Sequence, residues 1–351
     1  MRVVVAAWVG STNLGDELVL AGLLRLLRAR GCSITAVSVD PAATSREHGI
    51  SAVGPAGAPA AVAQADAVVF GGGGLLQDET SPYNLPYHLS RVWAAALART
   101  PVVGVGLGAG RLDTRLGHTL VRRTFARVPL SVRDAPSADL LERLGLPRPV
   151  VASDLALQLP SVDAPAQDRL VVSLRPWTGT RGRWLPASRS GGGPAPEELL
   201  RATARALDEA SAATGLAPHL VALQSDRDGP LHEAVAARMT VPVTTAVPTL
   251  AELPGEVASG RAVVAMRYHA GICAVLAGRP AVLIGYSPKV DALAGPLGAG
   301  GRLLPWSPTG PAGLREAVEA VLPHADAVTA AREALRARGR RHDEVLDRLA
   351  G

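Results

Sequence analysis

Short valine-rich apolar runs alternate along this chain with longer stretches whose apolar positions recur at helical spacing. In the first half the runs fall at residues 3–5, 33–39, 67–70, 102–105 and 150–151, and the helical stretches at 17–30, 87–98, 115–126 and 135–144. Runs that are apolar on both faces, with helices between them, predict a parallel sheet covered on either side. A stretch rich in Pro and Asp, residues 160–168, interrupts the alternation. It resumes with runs at 170–174, 220–223, 262–265 and 281–284 and helices over 196–214 and 270–277. The pattern predicts an α/β protein of two Rossmann-like, doubly wound domains, residues 1–160 and 168–322, facing each other across a cleft. The tail, 323–351, places Leu335, Val345 and Leu349 among many charges and reads as an amphipathic helix packed on the outside. A Gly- and Arg-rich segment over 176–194 carries no element signal of its own.

Composition narrows the picture. Apolar residues make up 48% and charged residues 19%, which places the chain among globular proteins. The net charge of +5 is modest, and no aromatics interleave with the basic residues. That balance points away from nucleic acid and toward a polyanionic small molecule or an acidic substrate at a membrane. Cys32 and Cys273 are too far apart for a disulfide framework or a Cys-x-x-Cys site, and no metal is expected. Residues 1–9 are too short for a signal segment and no apolar stretch reaches the ~18 residues of a membrane helix, so the expectation is a soluble cytoplasmic protein.

Of 36 cationic side chains, 35 are arginines and one is lysine, Lys289. Where Arg serves for generic surface charge, a surviving Lys marks a position that wants a compact ammonium with a tunable pKa, unless it is a chance survivor. It follows Tyr286-Ser287-Pro288, just past the run at 281–284, and lies one strand beyond Met266-Arg267-Tyr268-His269-Ala270-Gly271. Two consecutive strand ends thus deliver Arg267, His269 and Lys289 to one rim, suited to a small di- or trianion. A lone His is more often structural, but this one opens a helix between two cations.

Three glycine clusters also follow strands. Gly10-Ser11-Thr12-Asn13-Leu14-Gly15-Asp16-Glu17 begins as an anion-binding turn would, yet its two carboxylates occupy the helix N-terminus themselves. Asp16 is therefore either a helix-start charge or a carboxylate aimed at a hydroxyl in the cleft. Gly71 to Gly74, leading to Leu75-Leu76-Gln77-Asp78, lets a ligand approach the backbone at a strand's carboxyl end, unless it is only a flexible connection. The glycines between Gly104 and Gly110 imitate a dinucleotide fingerprint without the acidic residue such a site needs, and no Gly-Lys-Ser/Thr follows any cluster. In Ser131-Val132-Arg133-Asp134, Arg133 either pairs with its neighbour or reaches into the cleft toward a carboxylate or phosphate.

Taken in order, Asn13-Leu14-Gly15-Asp16-Glu17, Gly71 to Asp78, Val105-Gly106-Leu107-Gly108, Ser131 to Asp134, Asp154-Leu155-Ala156, Met266 to Ala270 and Tyr286 to Val290 resemble the polysaccharide pyruvyl transferase family, in its CsaB-type, cell-wall branch. The resemblance implies a GT-B-like fold. It implies transfer of a pyruvyl group from phosphoenolpyruvate, as a substrate with no cofactor, onto two hydroxyls of a sugar to form a cyclic ketal. Carried over residue by residue, Asp16, His269 and Lys289 are the catalytic candidates. Arg133, Arg267, Asn13, Gly73, Gly74, Gln77, Asp78 and Tyr286 are the substrate-binding candidates, with the acceptor on the N-terminal side and the donor on the C-terminal side. The acceptor implied is an N-acetylmannosamine residue of a lipid-linked secondary cell-wall polymer precursor, at the inner membrane face. The chain departs from the family pattern at Gly108-Ala109-Gly110, where many relatives have Gly-Ile-Gly-Pro. Two other readings fit the residues less well: a GT-B glycosyltransferase using a nucleotide sugar, and a noncatalytic module binding an anionic polymer.

Overall fold

The computed structural model describes residues 1–78, 83–176 and 195–349. The segment singled out at 176–194 thus lies, apart from Pro176, outside the described residues. The first half forms a seven-stranded sheet from β1 (Arg2–Ala6), β2 (Ser33–Val37), β3 (Ser51–Val53), β4 (Ala67–Leu76), β5 (Val102–Ala109), β6 (Leu130–Val132) and β7 (Val150–Val151), in the order β3-β2-β1-β4-β5-β6-β7. The second half forms a six-stranded sheet from β8 (Arg169–Ser173), β9 (Ala217–Val221), β10 (Thr244–Ala246), β11 (Ala262–Ala265), β12 (Ala281–Gly285) and β13 (Gly301–Pro305), in the order β10-β9-β8-β11-β12-β13. All strand pairings are parallel. Each sheet repeats the same winding, reversing between β1 and β4 in one and between β8 and β11 in the other. At such a reversal the loops leave in opposite directions and open a crevice at the strands' carboxyl ends.

Alternation along the strands sorts the core. Val3, Val5, Val69, Val103 and Val105 meet Leu20, Leu23, Leu24 and Leu27 of the helix Leu14–Ala29. Val4, Ala6, Val68 and Phe70 point the other way, against Leu85 and Leu89 of Asn84–Ala98 and Val121 and Phe125 of Arg115–Phe125. In the second half Leu170, Val172 and Val264 face the helix Glu197–Thr214, and Val171, Val263 and Ala265 face Tyr268–Leu276. The latter core also takes in Leu18, Ala156 and Leu157 from the first half, so the two halves share apolar contact.

The tail runs as a helix over Ala325–Gly339, then in short turns to Leu349, and buries Val345 and Leu346 in the core of the first sheet. Two element ends differ from the sequence reading. The first helix starts at Leu14, capped by Asn13, one turn before Glu17. Strand β4 does not stop at Phe70; it runs on through the glycines, pairing Gly71 with Val105 and Gly73 with Leu107 before the register slips ahead of Leu76. Gly72 and Gly73 sit at φ +83° and +82°, which only glycine adopts cheaply in a strand. Among the described residues no helix is long and apolar enough to cross a membrane.

Candidate functional site

The helix Leu14–Ala29 is fixed to the second half before its first turn is complete. The Leu14 N–H donates to Leu223 O at 2.9 Å, Asn13 bridges Gln224, and Thr12 Oγ1 donates to Asp226 at 2.6 Å. Asn13 Oδ1 caps the Gly15 N–H, and Asn13 Nδ2 donates to Asp16 Oδ2 at 2.6 Å. Of the two acidic residues here, Glu17 is turned inward, accepting from the Gly10 N–H and pairing with buried His48 at 2.8 Å. Asp16 faces the crevice beside the glycine strand, where a Cβ on Gly73 would come 3.4 Å from its Oδ1. Burial raises the Asp16 carboxyl above its ordinary value, with Glu17 adding to the rise and His269, Lys289 and the Asn13 amide opposing it. A half-buried carboxyl so disposed is equipped to take and release a proton.

The four glycines divide into two pairs. A Cβ on Gly71 would strike Val105 O at 2.2 Å and one on Gly72 would strike Val19 at 2.3 Å, so packing forbids side chains there. Gly74 has nothing within 4 Å of its Cβ position, so Gly73 and Gly74 form an open floor. Gln77 and Asp78 lie beyond it. Asp78 accepts from the Asp113 and Thr114 N–H groups and from Thr114 Oγ1, which secures the turn before the helix Arg115–Phe125, and Gln77 O accepts from Asn84. The Gly104 to Gly110 cluster is explained by packing. Cβ atoms on Gly104, Gly106 and Gly108 would strike Leu130, Leu155 and the Arg133 guanidinium at 2.4 to 2.6 Å.

Arg133 follows β6 and lies in that space, buried. Its Nε donates to Asp134 at 3.2 Å, its Nη1 stands 3.6 Å from Asp154 Oδ2, and its Cζ lies 4.7 Å from the centre of the Tyr268 ring. Both alternatives for this arginine are therefore partly met: it pairs with Asp134 and it reaches the junction of the two halves. His269, in the first turn of Tyr268–Leu276, meets the same carboxylate, its Nε2 3.8 Å from Asp154 Oδ2, beyond hydrogen-bond length. Its Nδ1 packs on the first helix, where a Cβ on Gly15 would come within 2.2 Å. Burial opposes ionisation of Asp154, but the His269 imidazole, the Arg133 guanidinium and the Ala156 N–H hold its carboxyl down at about 2.

Arg267, which precedes His269, is engaged with the second half. Its Nε lies 2.9 Å from Asp228 Oδ2 and its Nη2 3.0 Å from Gln224 Oε1, while Asp228 also accepts from the Leu223 and Gln224 N–H groups. Past β12, the Tyr286 hydroxyl accepts from Arg175 Nη1 at 2.7 Å, with the Arg175 Cζ 4.7 Å and the Lys289 Nζ 5.9 Å from the ring centre. Burial raises the Tyr286 phenol, but Lys289, Arg175 and Arg267 overcome it and bring it down to about 7. Lys289 is shifted down as well: Tyr286 supports its charge, yet burial and the cations Arg133 and Arg175 leave the ammonium below its ordinary value. Among the described residues Lys289 makes no ion pair.

The structure thus gathers Asn13, Asp16, Gly73, Gly74, Arg133, His269, Tyr286 and Lys289 around the meeting point of the two crevices. Asp78 and Arg267 are tied to their supports. Sequence reasoning missed Arg175 and gave Asp154 no role. Arg175 is the first polar residue after the apolar run ending at Leu174, past the reversing strand β8, and that position was the available signal. Among the described residues no group of three His, Cys, Asp or Glu side chains is placed to hold a metal.

The family model described as polysaccharide pyruvyl transferase matches residues 13–288. No curated protein matches the chain in sequence. Among solved structures, similar folds include Anabaena HepE in complex with UDP-glucose (15% identity, TM-score 0.61, 99% of each chain). Others are S. aureus MnaA with UDP (11%, 0.65, 98% of this chain and 94% of that one) and the glycosyltransferase SnogD from Streptomyces nogalater (16%, 0.58, 99% of each). At these identities the likeness is one of fold, and it is the GT-B-like fold of glycosyltransferases and epimerases.

Proposed function

The chain belongs to the polysaccharide pyruvyl transferase family, and on that premise we propose that it moves the pyruvyl group of phosphoenolpyruvate onto two hydroxyls of a sugar, forming a cyclic ketal and releasing phosphate. The observation that carries this reading is the cluster of Arg133, Arg175 and Lys289 beside Asp16 and His269. A donor bearing a phosphate next to a carboxylate fits such a cluster. Lys289, Arg175 and Arg133 hold the two anionic groups, and Tyr286 orients Arg175. His269 delivers a proton to the donor's methylene carbon, which becomes the methyl group. The first sugar hydroxyl adds to the cationic carbon left behind and gives its proton to Asp16. The carbon–oxygen bond to phosphate then breaks and the second hydroxyl closes the ketal. Of the two hydroxyl protons, one is accounted for in the methyl group and the other in the released phosphate.

The acceptor is proposed to be an N-acetylmannosamine residue of a lipid-linked secondary cell-wall polymer precursor at the cytoplasmic membrane face. The CsaB-type motifs support that, and the net charge of +5 suits an anionic leaflet. Its sugar would enter over Gly73 and Gly74. The test is incubation with phosphoenolpyruvate and a lipid-linked disaccharide ending in N-acetylmannosamine, following acceptor mass and free phosphate together. A ketal-linked pyruvyl group appearing in step with phosphate supports the reading; phosphate without it, or neither, counts against it.

A second reading, nucleotide-sugar glycosyl transfer, is favoured by one observation: similar folds have been crystallised with UDP and UDP-glucose. Thermal stabilisation by UDP and none by phosphoenolpyruvate would move the assignment there.

A further inference from the structure

Asp154 sits at the junction of the two halves, 2% exposed, with one oxygen satisfied and one not. Oδ1 accepts from the Ala156 N–H at 3.0 Å and so fixes the turn Leu155–Gln158. Oδ2 is buried and has no hydrogen bond, and neither has His269 Nε2, the atom that faces it at 3.8 Å from the other half. An unsatisfied buried carboxylate oxygen is costly, and two such atoms facing each other are a bond not yet made. A hydrogen bond of about 2.9 Å requires an approach of about 0.9 Å, small against the closing motions of two-domain sites on their ligands.

Among the other neighbours on which the charge of Asp154 acts, Arg133 faces the same oxygen, its Nη1 at 3.6 Å and also beyond hydrogen-bond length. Arg133 already donates to Asp134. His342 is committed through Nδ1 to Ser131 Oγ and through Nε2 to Ser153 O, both at 2.9 Å. The Cys273 thiol is pushed by burial up to about 12 and carries no charge near neutrality. His269 is the neighbour whose facing nitrogen is itself buried without a hydrogen bond, and its opposite nitrogen, Nδ1, lies against the start of the first helix beside Gly15.

We propose that Asp154 is the positioning residue for His269: it keeps the imidazole proton on Nε2 and thereby leaves Nδ1 as the nitrogen that carries the transferred proton. A carboxylate across from one imidazole nitrogen fixes the tautomer at the other. The proposal rests on the assignment of His269 as the proton-transfer group. It makes the reaction depend on both halves, since Asp154 comes from the first and His269 from the second.

The test begins with the unaltered protein, so that it does not depend on a variant folding. Nitrogen NMR of the imidazoles, with the His269 signals identified by their absence in His269→Ala, should show that the neutral His269 ring keeps its proton on Nε2 and that Nδ1 is the nitrogen that gains the second proton when the ring becomes cationic. Asp154→Asn, which retains the acceptor for Ala156, should lose that tautomer preference. It should also lower kcat about 10- to 100-fold with the KM for phosphoenolpyruvate within about threefold. Asp154→Glu should recover part of the loss. A purely structural Asp154 would lower the melting temperature while leaving tautomer and kcat of the folded fraction unchanged, and that result, or a neutral His269 ring with its single proton on Nδ1 in the unaltered protein, overturns the proposal. The NMR readout is independent of ketal formation, so failure of the unaltered protein to make ketal would strike the transfer reading and leave the tautomer result to decide this one.

Discussion

Replacing Gly15 by Ala separates the fold from the chemistry. Gly15 lies in the first turn of a helix, and exchange of glycine for alanine in a helix ordinarily stabilises by about 1 kcal/mol. Here the new Cβ would meet His269 Nδ1 at 2.2 Å and Cγ at 2.9 Å, with Asn13 Oδ1 at 3.2 Å. Ordinary contact begins near 3.4 Å, so the imidazole has to retreat by about 1.2 Å. A side chain driven off its rotamer costs about 0.5–1.5 kcal/mol, which roughly cancels the helix gain. The melting temperature is therefore expected to stay within a few degrees of the unaltered protein. A catalytic group displaced by about 1 Å loses about 100-fold in rate. The assay is thermal melting alongside phosphate release and acceptor mass in the presence of phosphoenolpyruvate. Turnover near that of the unaltered protein at unchanged stability would refute the reasoning, because it would mean that the placement of His269 against the first helix is immaterial to the reaction.

Three further outcomes follow from the charges around the crevice. Lys289→Arg keeps the charge but replaces a compact ammonium by a fork between Arg133, Arg175 and Tyr286; kcat/KM should fall at least about tenfold with little change in melting, and near-normal turnover would remove the case for a required lysine. Arg267→Ala leaves Asp228, 0% exposed, as an unpaired buried charge; denaturant unfolding should show a loss of about 3–5 kcal/mol, whereas a loss below about 1 kcal/mol would show that Asp228 is neutralised otherwise. The Asp154 carboxyl, held at about 2 against an ordinary 3.8, contributes stability that is fully present above pH 4 and is lost as pH falls through about 2. Unfolding measured from pH 5 to pH 2 should therefore be less steeply pH-dependent in Asp154→Asn, and parallel curves would contradict the shift.

How much of this could be read in the sequence depended on how local each signal was. The long apolar runs became strands because their burial on both faces is written into every residue. The edge strands β3 and β10 were not visible, since Ser51-Ala52-Val53 and Thr244-Thr245-Ala246 bury one face at most and present no apolar run. The glycine clusters were visible as clusters, but their meaning was not. Gly104, Gly106 and Gly108 are small because Leu130, Leu155 and Arg133 need the room, and those partners come from distant parts of the chain. Asp16 and Glu17 are adjacent and chemically alike, yet His48 draws one inward while the other faces the crevice. No spacing rule separates them, because the deciding partner stands 31 residues away.

The same dependence on distant partners governs the cations of the crevice. Arg133, Arg175, Arg267 and Lys289 all leave the carboxyl ends of strands, and the repeated winding of the two sheets turns those ends toward one another. Asp134 and Asp154 stand against Arg133, and Asp228 clasps Arg267. Arg175 and Lys289 also lie against the phenol of Tyr286, and together with Arg267 they outweigh burial and shift it down to about 7. The lowered phenol reflects the cations Lys289, Arg175 and Arg267 around it. The anionic donor proposed above would offset those cations, and with it bound the phenol would ionise less readily. Donor binding should therefore be accompanied by proton uptake at Tyr286, which links the charge of the donor to the protonation state of the site that receives it.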